Sequence, residues 1–400
     1  MEKGTEIKWL SQYNLKKEVV GENYYPKHLK IYDTTLRDGE QTAGLCFSKK
    51  DKLEIAKALD ALGVDRIEAG LPVVSKEDRE AVEEIVNAGL KNEVWGFSRC
   101  VKSDIDACAD AGVKAIVCEI ATSALKMKAW GWTPDSVLKR IAECLHHAKE
   151  RGLYVTFFAV DSTRTDLDYL LKVYWTAVKE GKADEVAIVD TIGVATPETM
   201  YYLTRKVIEH VGVPVHVHTH NDFGLGNATT LSAVKAGADC AHVCVNGLGE
   251  RTGNADMAEV VMAAKLLLDI HVNVKTEKLY ETSQLVERIT KLPQSPLKPV
   301  VGSNIFSKES GLSVGQYISY PPSVEPFDPK IVSRKTEILL GKKSGANSIE
   351  YKLKTLGIKA TPEQVEQILL KVKELGAKKK TKVEDKEFQK ICKEVVPAGK

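Results

Sequence analysis

The stretch HLKIYDTTLRDGEQTAGLCFSKKDKLEIAKALDALGVDRIEAGL, residues 28–71, decides the fold that the sequence predicts. Its β-branched and apolar start predicts a strand over His28–Thr34, and a second such run predicts a strand over Arg66–Leu71. Between them, Ser48–Leu62 has the apolar spacing that is typical of a helix, with Ser48 at the N-cap position. A strand, a helix and a strand in succession are the repeating unit of a parallel sheet.

The same alternation continues to about residue 270. Six further strands are predicted, at Val94–Ser98, Ala115–Ala121, Tyr154–Asp161, Glu185–Thr191, Pro214–Thr219 and Ala241–Gly247. Helices such as Ser75–Ala88 and Pro134–Arg151 separate them, and we expect N-caps at Ser75, Ser103 and Thr196. Eight strands alternating with helices over about 240 residues predict a (β/α)₈ TIM barrel. A doubly wound open sheet is disfavoured, because its glycine fingerprint after the first strand is missing.

The domain organisation follows from where this alternation begins and ends. We expect an N-terminal extension at 1–27 and the barrel at 28–270. The prolines of KLPQSPLKP, residues 291–299, predict a linker at 271–300. Residues 301–400 are then expected to form smaller, mainly helical C-terminal subdomains, a lid-like region with a helical pattern over about 347–376.

Composition excludes several classes of protein. The 400 residues are 43% hydrophobic and 28% charged, an ordinary globular mix, and the net charge of +2 does not favour nucleic acid or a membrane surface as partner. The N-terminus has no signal-peptide pattern, and no apolar stretch approaches the roughly 20 residues that span a bilayer. Eight cysteines without a CxxC pair fit a reducing compartment. We therefore expect a cytoplasmic location.

The strongest chemical signal lies on the predicted seventh strand, VHVHTHND at residues 215–222. Side chains alternate along a strand, so His216, His218 and His220 project on one side, which in a barrel is the interior. His218 and His220 lie nearest the carboxyl end, where TIM barrels hold their active sites. Two imidazoles in this arrangement can bind one metal ion, whereas His216 is expected to be structural.

Polar residues follow three other strands at the same rim. In DTTLRDGEQ (33–41), Asp38 is the candidate carboxylate ligand, and Arg37 can neutralise charge on a substrate oxygen. In NGLGERTGN (246–254), three glycines permit close approach of the backbone, and Asn254 is a candidate fourth ligand. DTIG (190–193) ends the sixth strand. The sequence therefore predicts a metal site where four strand ends meet.

At these residues the chain resembles the DRE-TIM metallolyases, and among them the acetyl-CoA-dependent 2-oxo acid synthases: isopropylmalate, citramalate, homocitrate and Re-type citrate synthases. The resemblance covers about residues 28–350. The matching motifs are DTTLRDGEQ (33–41), IEAGLP (67–72), DTIG (190–193), HTHND (218–222), NGLGERTGNA (246–255), SGLSVGQY (310–317) and GKKSG (341–345).

The resemblance implies a metal-dependent Claisen-type condensation of acetyl-CoA, or another acyl-CoA, with a 2-oxo acid. It implies that Asp38, His218 and His220 bind a divalent ion (Mn²⁺, Mg²⁺, Zn²⁺ or Co²⁺), with Asn254 completing or approaching the coordination sphere. The product would be a 2-hydroxy dicarboxylic or tricarboxylic acid, released together with CoA.

The resemblance also implies substrate contacts and an assembly. Arg37 would polarise the keto oxygen, and Thr191 would hold the carboxylate of the acceptor with Gln41 near by. Members of the family are commonly homodimers. The regulatory domain of leucine-controlled isopropylmalate synthases is not expected, because only 55 residues follow Gly345.

Two departures from the family affect the proton-transfer groups. Ser313 stands where the second His of HESGIH would be, and Val160 stands where a Glu commonly ends the fifth strand. Glu119, Tyr317 and Tyr320 are therefore alternative candidates, and we assign catalytic roles to Arg37, Glu119 and Tyr317.

A third departure concerns the acceptor. Homocitrate synthases use an Arg and a Ser on the fifth strand, where this chain has Thr156 and Phe158. This difference makes 2-oxoglutarate a less favoured acceptor.

Three alternatives stay open. A lyase of the hydroxymethylglutaryl-CoA type would run the reaction backwards, but residues 246–254 lack the Cys of that group. Two His and one carboxylate also suit non-haem Fe(II) oxygenases. A catalytically altered paralogue would keep the metal site and lose the condensation.

Overall fold

The computed structural model describes residues 9–396. Two compact units divide the chain: residues 12–294 form one, and residues 9–11 with 295–396 form the other. Residues 1–8 of the predicted extension 1–27 lie outside the described residues. Within the first unit, the rest of this extension contacts the barrel helices, since the Tyr24 N–H donates to the Lys235 carbonyl at 2.8 Å.

Eight parallel strands in sequence order close into a barrel in the first unit, which confirms the predicted TIM barrel. The strands are β1 (Lys30–Asp33), β2 (Arg66–Gly70), β3 (Glu93–Arg99), β4 (Ala115–Ala121), β5 (Tyr154–Val160), β6 (Glu185–Asp190), β7 (Val215–Thr219) and β8 (Cys240–Val243). β8 closes the barrel on β1, with Lys30 opposite Cys240 and Asp33 opposite Val243. All eight carboxyl ends therefore meet at one rim.

Helices surround this barrel. They are α1 (Lys17–Val20), α2 (Lys49–Leu62), α3 (Lys76–Val86), α4 (Lys102–Asp110), α5 (Ala124–Trp130), α6 (Pro134–Glu150), α7 (Leu167–Trp175), α8 (Pro197–Val211), α9 (Gly226–Lys235), α10 (Met257–Met262) and α11 (Leu279–Thr290). Wider helical turns at Thr176–Glu180 and Ala263–Leu267 continue α7 and α10. Among the described residues, none of the helices is long and apolar enough to cross a membrane.

Three of the four predicted N-caps are confirmed. Ser48, Ser75 and Thr196 each accept a hydrogen bond from a backbone N–H in the first helical turn. The prediction for Ser103 is wrong, because α4 begins at Lys102, two residues earlier than that cap implies, and its N-cap is Val101. The Val101 carbonyl already accepts from the N–H groups of Asp104 and Ile105, so Ser103 lies inside the helix.

The barrel interior has an apolar and a polar layer. Large buried side chains form the apolar layer, among them Tyr32, Phe97, Val117, Phe158 and Val189, and Trp95 lies against the polar layer, its ring centroid 4.5 Å from the Arg66 guanidinium carbon. Below them, near the amino ends of the strands, Arg66 pairs with Glu185 at 2.7 Å, and Glu185 lies 3.0 Å from His216 Nε2. His216 is therefore a structural residue of the barrel core, as predicted.

Two predicted segments differ in the structure. β8 ends at Val243 rather than at Gly247, because Val245–Gly247 form a helical turn in which Asn246 has a φ of 60°. The expected linker 271–300 contains α11, whose Leu279 and Val286 are buried. α11 contacts α2 of the barrel, so part of this stretch belongs to the first unit.

The second unit is mainly helical. It contains α12 (Gly311–Ser319), α13 (Ala346–Thr355), α14 (Pro362–Lys379) and α15 (Asp385–Val395), with β9 (Ser307–Lys308) paired in parallel to β10 (Glu337–Ile338). Ile349, Ile368 and Phe388 from the last three helices lie in one buried core. The boundaries 1–27, 28–270, 271–300 and 301–400 remain our proposal for the domain organisation.

Candidate active site

A cavity of ≈ 260 Å³ opens at the carboxyl ends of the barrel strands. Its lining residues lie on or follow seven of the eight strands, with Lys126 from α5: Arg37, Asp38, Gln41, Phe97, Glu119, Lys126, Phe158, Val160, Val189, Thr191, His218, His220 and Glu250. Both polar and apolar side chains line the cavity. This is the rim at which the sequence analysis predicts the metal site.

The three predicted metal ligands lie together in this cavity. Asp38 Oδ2 is 3.2 Å from His218 Nε2 and 3.7 Å from His220 Nε2, and all three side chains are buried. One oxygen and two nitrogens of this set lie within 4.8 Å of one another. His218 and His220 reach the same point because alternate residues of β7 share the interior face.

The surroundings of Asp38 and His220 favour the protonation states in which these side chains bind a metal ion. Burial raises the pKa of Asp38, but the neighbouring Arg37 and His218 outweigh burial and hold that pKa well below its usual range. Burial, opposed by Asp38, lowers the pKa of His220 to about 4. At neutral pH the site therefore offers a carboxylate and a neutral imidazole, the forms that bind a metal ion.

Asn254 lies beside this set. Its Nδ2 donates to the Leu248 carbonyl at 3.0 Å, which holds the amide in place. Its buried Oδ1 has no hydrogen-bond partner among the described residues. Gly249 permits this packing, because a Cβ there would collide with the Asn254 amide and lie 3.2 Å from Asp38 Oδ1. The donor set of two imidazoles, a carboxylate and an unpartnered amide oxygen fits a divalent metal ion.

Three neighbouring side chains hold the guanidinium of Arg37 in place. Its Nε donates to Glu68 Oε2 at 2.6 Å, and its Nη1 donates to Asp38 Oδ2 at 3.1 Å. The guanidinium carbon lies 4.1 Å from the ring centroid of Phe97, a cation–π contact. The Tyr32 hydroxyl donates to the other oxygen of Glu68 at 3.2 Å. Arg37 is therefore fixed in direction, with N–H groups left for a substrate oxygen.

Glu119 lies in the cavity wall, opposite Phe158 in the strand register. Burial raises its pKa to about 7, against the lowering effect of Arg37 and Lys126. On the adjacent strand, Val160 is opposite Ala121, two residues after Glu119. A carboxylate is thus present next to the position where the family carries its Glu.

Thr191 and Gln41 border the cavity as predicted. The Thr191 hydroxyl accepts from the Asp161 N–H at 2.8 Å, so its own O–H is free to donate to a carboxylate. Gln41 is exposed at the rim. Both positions are compatible with contacts to an acceptor.

Tyr317 lies on α12 of the second unit. There it borders a cavity of ≈ 810 Å³ and lies 5.9 Å from Lys308 Nζ, measured to the ring centroid. Ser313 and Tyr317 belong to the same helix, one turn apart. The catalytic role of Tyr317 therefore stays a prediction.

Two residues of the site were not singled out by sequence reasoning. Glu68, the partner of Arg37, is a fully buried acid on β2 and lies inside the motif IEAGLP. An acid within an otherwise apolar strand was the available signal, since a buried charge requires a partner. Lys126 on α5 had no such signal, because its place in the cavity depends on how α5 follows β4.

Two regions of the chain match known protein families. The profile of a family described as HMGL-like matches residues 28–286, and a domain described as homocitrate synthase post-HMGL domain-like matches residues 300–380. A probable 2-isopropylmalate synthase of Methanopyrus kandleri is 48% identical over 89% of this chain and 71% of that protein. A putative (R)-citramalate synthase of Archaeoglobus fulgidus is 44% identical over 92% of this chain and 75% of that protein.

A solved structure agrees on the fold. The crystal structure of hydroxymethylglutaryl-CoA lyase from Pseudomonas aeruginosa superposes with a TM-score of 0.61 over 70% of this chain and 97% of that chain. The two sequences are 22% identical, so this likeness concerns the fold alone.

Proposed function

From the premise that this chain belongs to the HMGL-like family, and within it to the acetyl-CoA-dependent 2-oxo acid synthases, we propose that it condenses acetyl-CoA with a 2-oxo monocarboxylic acid that carries an apolar side chain. The products are CoA and a 2-hydroxy dicarboxylic acid. The enzyme is thus an acyltransferase, and we infer the class of its acceptor from the residues that line the cavity.

One observation carries the proposal about the acceptor: apolar side chains line the cavity next to the candidate metal ligands. Phe158, Val160 and Val189 are among the lining residues, the Phe158 ring centroid lies 5.6 Å from that of His218, and Val189 is opposite His218 in the strand register. An acceptor whose carboxylate and keto oxygen lie at the candidate metal ligands would place its side chain against these three residues. Burial of an apolar side chain there is favourable by about 0.8 kcal/mol per methylene group.

The charges of the cavity do not favour a second carboxylate on the acceptor. Arg37 and Lys126 are the Lys and Arg side chains among the described lining residues. Arg37 is paired with Glu68 and Asp38, and the charge of Lys126 acts on Glu119. A distal carboxylate would therefore compete with groups of the protein for both cations.

The proposed roles of the polar residues follow from their positions. Asp38, His218, His220 and Asn254 would hold a divalent ion, which when bound supplies Lewis-acid polarisation of the keto group. The Thr191 hydroxyl would donate to the carboxylate of the acceptor, with Gln41 at the rim. The remaining N–H groups of Arg37 would donate to the keto oxygen as it gains negative charge during carbon–carbon bond formation.

We assign removal of the α-proton of acetyl-CoA to Glu119. A base works best when its pKa is close to the operating pH, and burial raises the pKa of Glu119 to about 7. Its carboxylate also lies on the strand next to Val160, where the family places an acid. Tyr317 is kept as the second candidate for proton transfer.

A panel of acceptors tests this function. Metal-loaded protein is mixed with acetyl-CoA and with pyruvate, 2-oxobutyrate, 2-oxoisovalerate, oxaloacetate or 2-oxoglutarate, and release of the CoA thiol is measured with the product identified by mass. We expect the largest kcat/KM among the first three, and no thiol release without acceptor. Asp38→Asn is the inactive control.

Other outcomes decide between the alternatives. Highest activity with oxaloacetate or 2-oxoglutarate would overturn the proposed acceptor class and leave the synthase assignment intact. Cleavage of a 3-hydroxyacyl-CoA without any condensation would favour the lyase. No turnover of any substrate by protein that retains its metal would favour the altered paralogue.

A further inference from the structure

The side chains of three cysteines lie close together between the barrel strands and the surrounding helices, outside the candidate active site. Cys100 follows β3, Cys118 lies on β4 and Cys144 lies on α6. The sulfur atoms of Cys100 and Cys118 are 3.4 Å apart, and the thiols of Cys100 and Cys144 are hydrogen-bonded. Because side chains alternate along β4, Cys118 points toward the helix layer while Glu119 points into the cavity.

A second cavity gives access to this cluster. It has a volume of ≈ 260 Å³, and its wall is formed mainly by apolar side chains, with Cys100 among them. It shares Glu119, Lys126 and Val160 with the catalytic cavity. Cys100 is the residue of this cluster that lines the cavity, whereas Cys118 and Cys144 are not among its described lining residues.

We propose that Cys100 and Cys118 are a redox-active dithiol in the wall of the substrate cavity, which closes to a disulfide when a hydroperoxide enters. The Cys100 sulfur attacks one peroxide oxygen, the O–O bond breaks, and water leaves with Cys100 as a sulfenic acid. The Cys118 sulfur then attacks the Cys100 sulfur, the S–O bond breaks, and a second water leaves. Overall, two thiols and hydrogen peroxide give one disulfide and two water molecules.

The third thiol, that of Cys144, assists the reaction of Cys100 with the peroxide. Hydrogen bonding to Cys118 and Cys144, together with burial, raises the pKa of Cys100. The hydrogen bond from Cys100 lowers the pKa of Cys144, with Lys102 and Arg140 contributing. Cys144 is therefore the thiol of the cluster that ionises most readily, and the hydrogen bond that it accepts from Cys100 gives the Cys100 proton a path to the departing hydroxide, with which it leaves as water.

The disulfide would move the candidate base. A sulfur–sulfur bond is about 2.0 Å long, so the two sulfurs, now 3.4 Å apart, must approach by more than 1 Å. Both partners are tied to Glu119: the Cys100 N–H donates to the Glu119 carbonyl at 2.8 Å, and Cys118 precedes Glu119 in the chain. Closing the bond therefore shifts the strand ends that position this carboxylate. This effect on turnover rests on the proposed function, whereas disulfide formation does not.

The experiment uses the full, metal-loaded chain. Reduced protein is treated with hydrogen peroxide, free thiols are alkylated, and the peptides are mapped by mass spectrometry, with condensation measured in parallel. We expect a linked peptide pair containing Cys100 and Cys118. Since misplacing a catalytic group by about 1 Å can cost on the order of a hundredfold, we expect kcat/KM to fall at least about tenfold and to recover with dithiothreitol.

Matched variants separate the proposal from general oxidation. Cys118→Ser, or Cys118→Ala if the first does not fold, should lose the linked peptide and the reversible fall in activity. Cys46→Ser removes an exposed thiol and should retain both. Cys144→Ser should slow disulfide formation without abolishing it.

The contrary outcomes are equally definite. Absence of a Cys100–Cys118 link in wild-type protein, or a link of Cys100 to Cys144 alone, would overturn the dithiol. A Cys100–Cys118 link that leaves kcat/KM unchanged would overturn its effect on the site. If the reduced protein turns over no acceptor, the proposed function fails, while the peptide map still decides the dithiol.

Discussion

At the scale of single residues, burial decides which protonation states the candidate site offers. Asp38, Glu68 and Glu119 are three acids around one arginine, yet they differ in environment. Arg37 and His218 outweigh the effect of burial on Asp38, whereas burial dominates at Glu119. One acid is therefore poised as an ionised ligand, and another near neutral pH as a base.

The metal site makes the first prediction. His218→Ala removes one of the three donors within 4.8 Å of one another and should lose the metal after loading and dialysis. Elemental analysis measures the metal per chain. His210→Ala, an exposed histidine near the end of α8, is the control and should retain it. Full metal retention in His218→Ala would remove this residue from the site.

The pH profile makes the second prediction. The pKa of Glu119 is raised from 4.5 to about 7 by burial, and a base acts in its ionised form. Activity should therefore rise as pH increases through about 7 and level off above it. Glu119→Gln should lose this inflection together with about 10²- to 10⁴-fold of kcat, the usual contribution of a general base.

The control for this profile is Glu84→Gln, an exposed acid on α3. It should keep the wild-type inflection. A Glu119→Gln enzyme whose pH profile matches that of wild type would instead show that the base is another group, with Tyr317 the next candidate.

At the scale of elements, the helix starts are set by caps, and the strand ends present the site. Ser48 accepts from the Asp51 N–H while the Asp51 carboxylate accepts from the Ser48 N–H, a reciprocal pair that satisfies two free donors of α2. The loop before α2 carries Arg37 and Asp38. The cap thus fixes the helix to which the end of β1 connects.

Ser48 and Ser103 provide the third prediction. Ser48→Ala removes the cap of α2 and should cost about 1 kcal/mol in the free energy of unfolding. Ser103→Ala, inside α4 and exposed, should change it by no more than about 0.5 kcal/mol. Urea unfolding measures both. Equal effects of the two changes would contradict the assignment of Val101, and not Ser103, as the N-cap of α4.

At the scale of the whole molecule, the barrel interior separates two polar clusters by an apolar layer. The Arg66 guanidinium is bound to Glu185 at 2.7 and 3.1 Å and lies 4.5 Å from the centroid of Trp95. The His242 ring stacks on Tyr32, whose hydroxyl reaches Glu68 of the candidate site. The lower cluster therefore supports the layer on which the site residues lie.

Arg66 makes the fourth prediction. Arg66→Met leaves Glu185 as a buried charge that has lost its arginine, and breaking a buried pair in this way costs about 3–5 kcal/mol. Arg288→Met removes an exposed partner of Glu54 and should cost no more than about 1 kcal/mol. Chemical denaturation compares the two. A loss for Arg66→Met as small as that of Arg288→Met would show that the lower cluster does not stabilise the barrel.

The homodimer implied by the family resemblance also belongs to this scale and remains a prediction. Sedimentation velocity of the full chain measures it directly. A monomer at all concentrations would contradict it.

The sequence by itself predicted the barrel, which the structure confirms, and three candidate metal ligands, which the structure brings together. Strand and helix periodicity is local, and eight alternations leave few ways to close a parallel sheet. The carboxyl ends of parallel strands meet at one rim. The sequence therefore predicts that Asp38, His218 and His220 lie close together although they are distant in the chain. α12 escaped prediction, because its two glycines and β-branched residues have little intrinsic helix propensity.

Only the tertiary structure decided which groups act on one another. The pairing of Arg37 with Glu68, the place of Glu119 beside Val160 and the contact of Cys100 with Cys118 depend on strand register. A shift in register would bring each side chain opposite a different neighbour, and the register of a barrel is set by the closure of the whole sheet. The pKa of Glu119 likewise depends on burial in the folded barrel, so the local sequence does not predict which acid has a raised pKa.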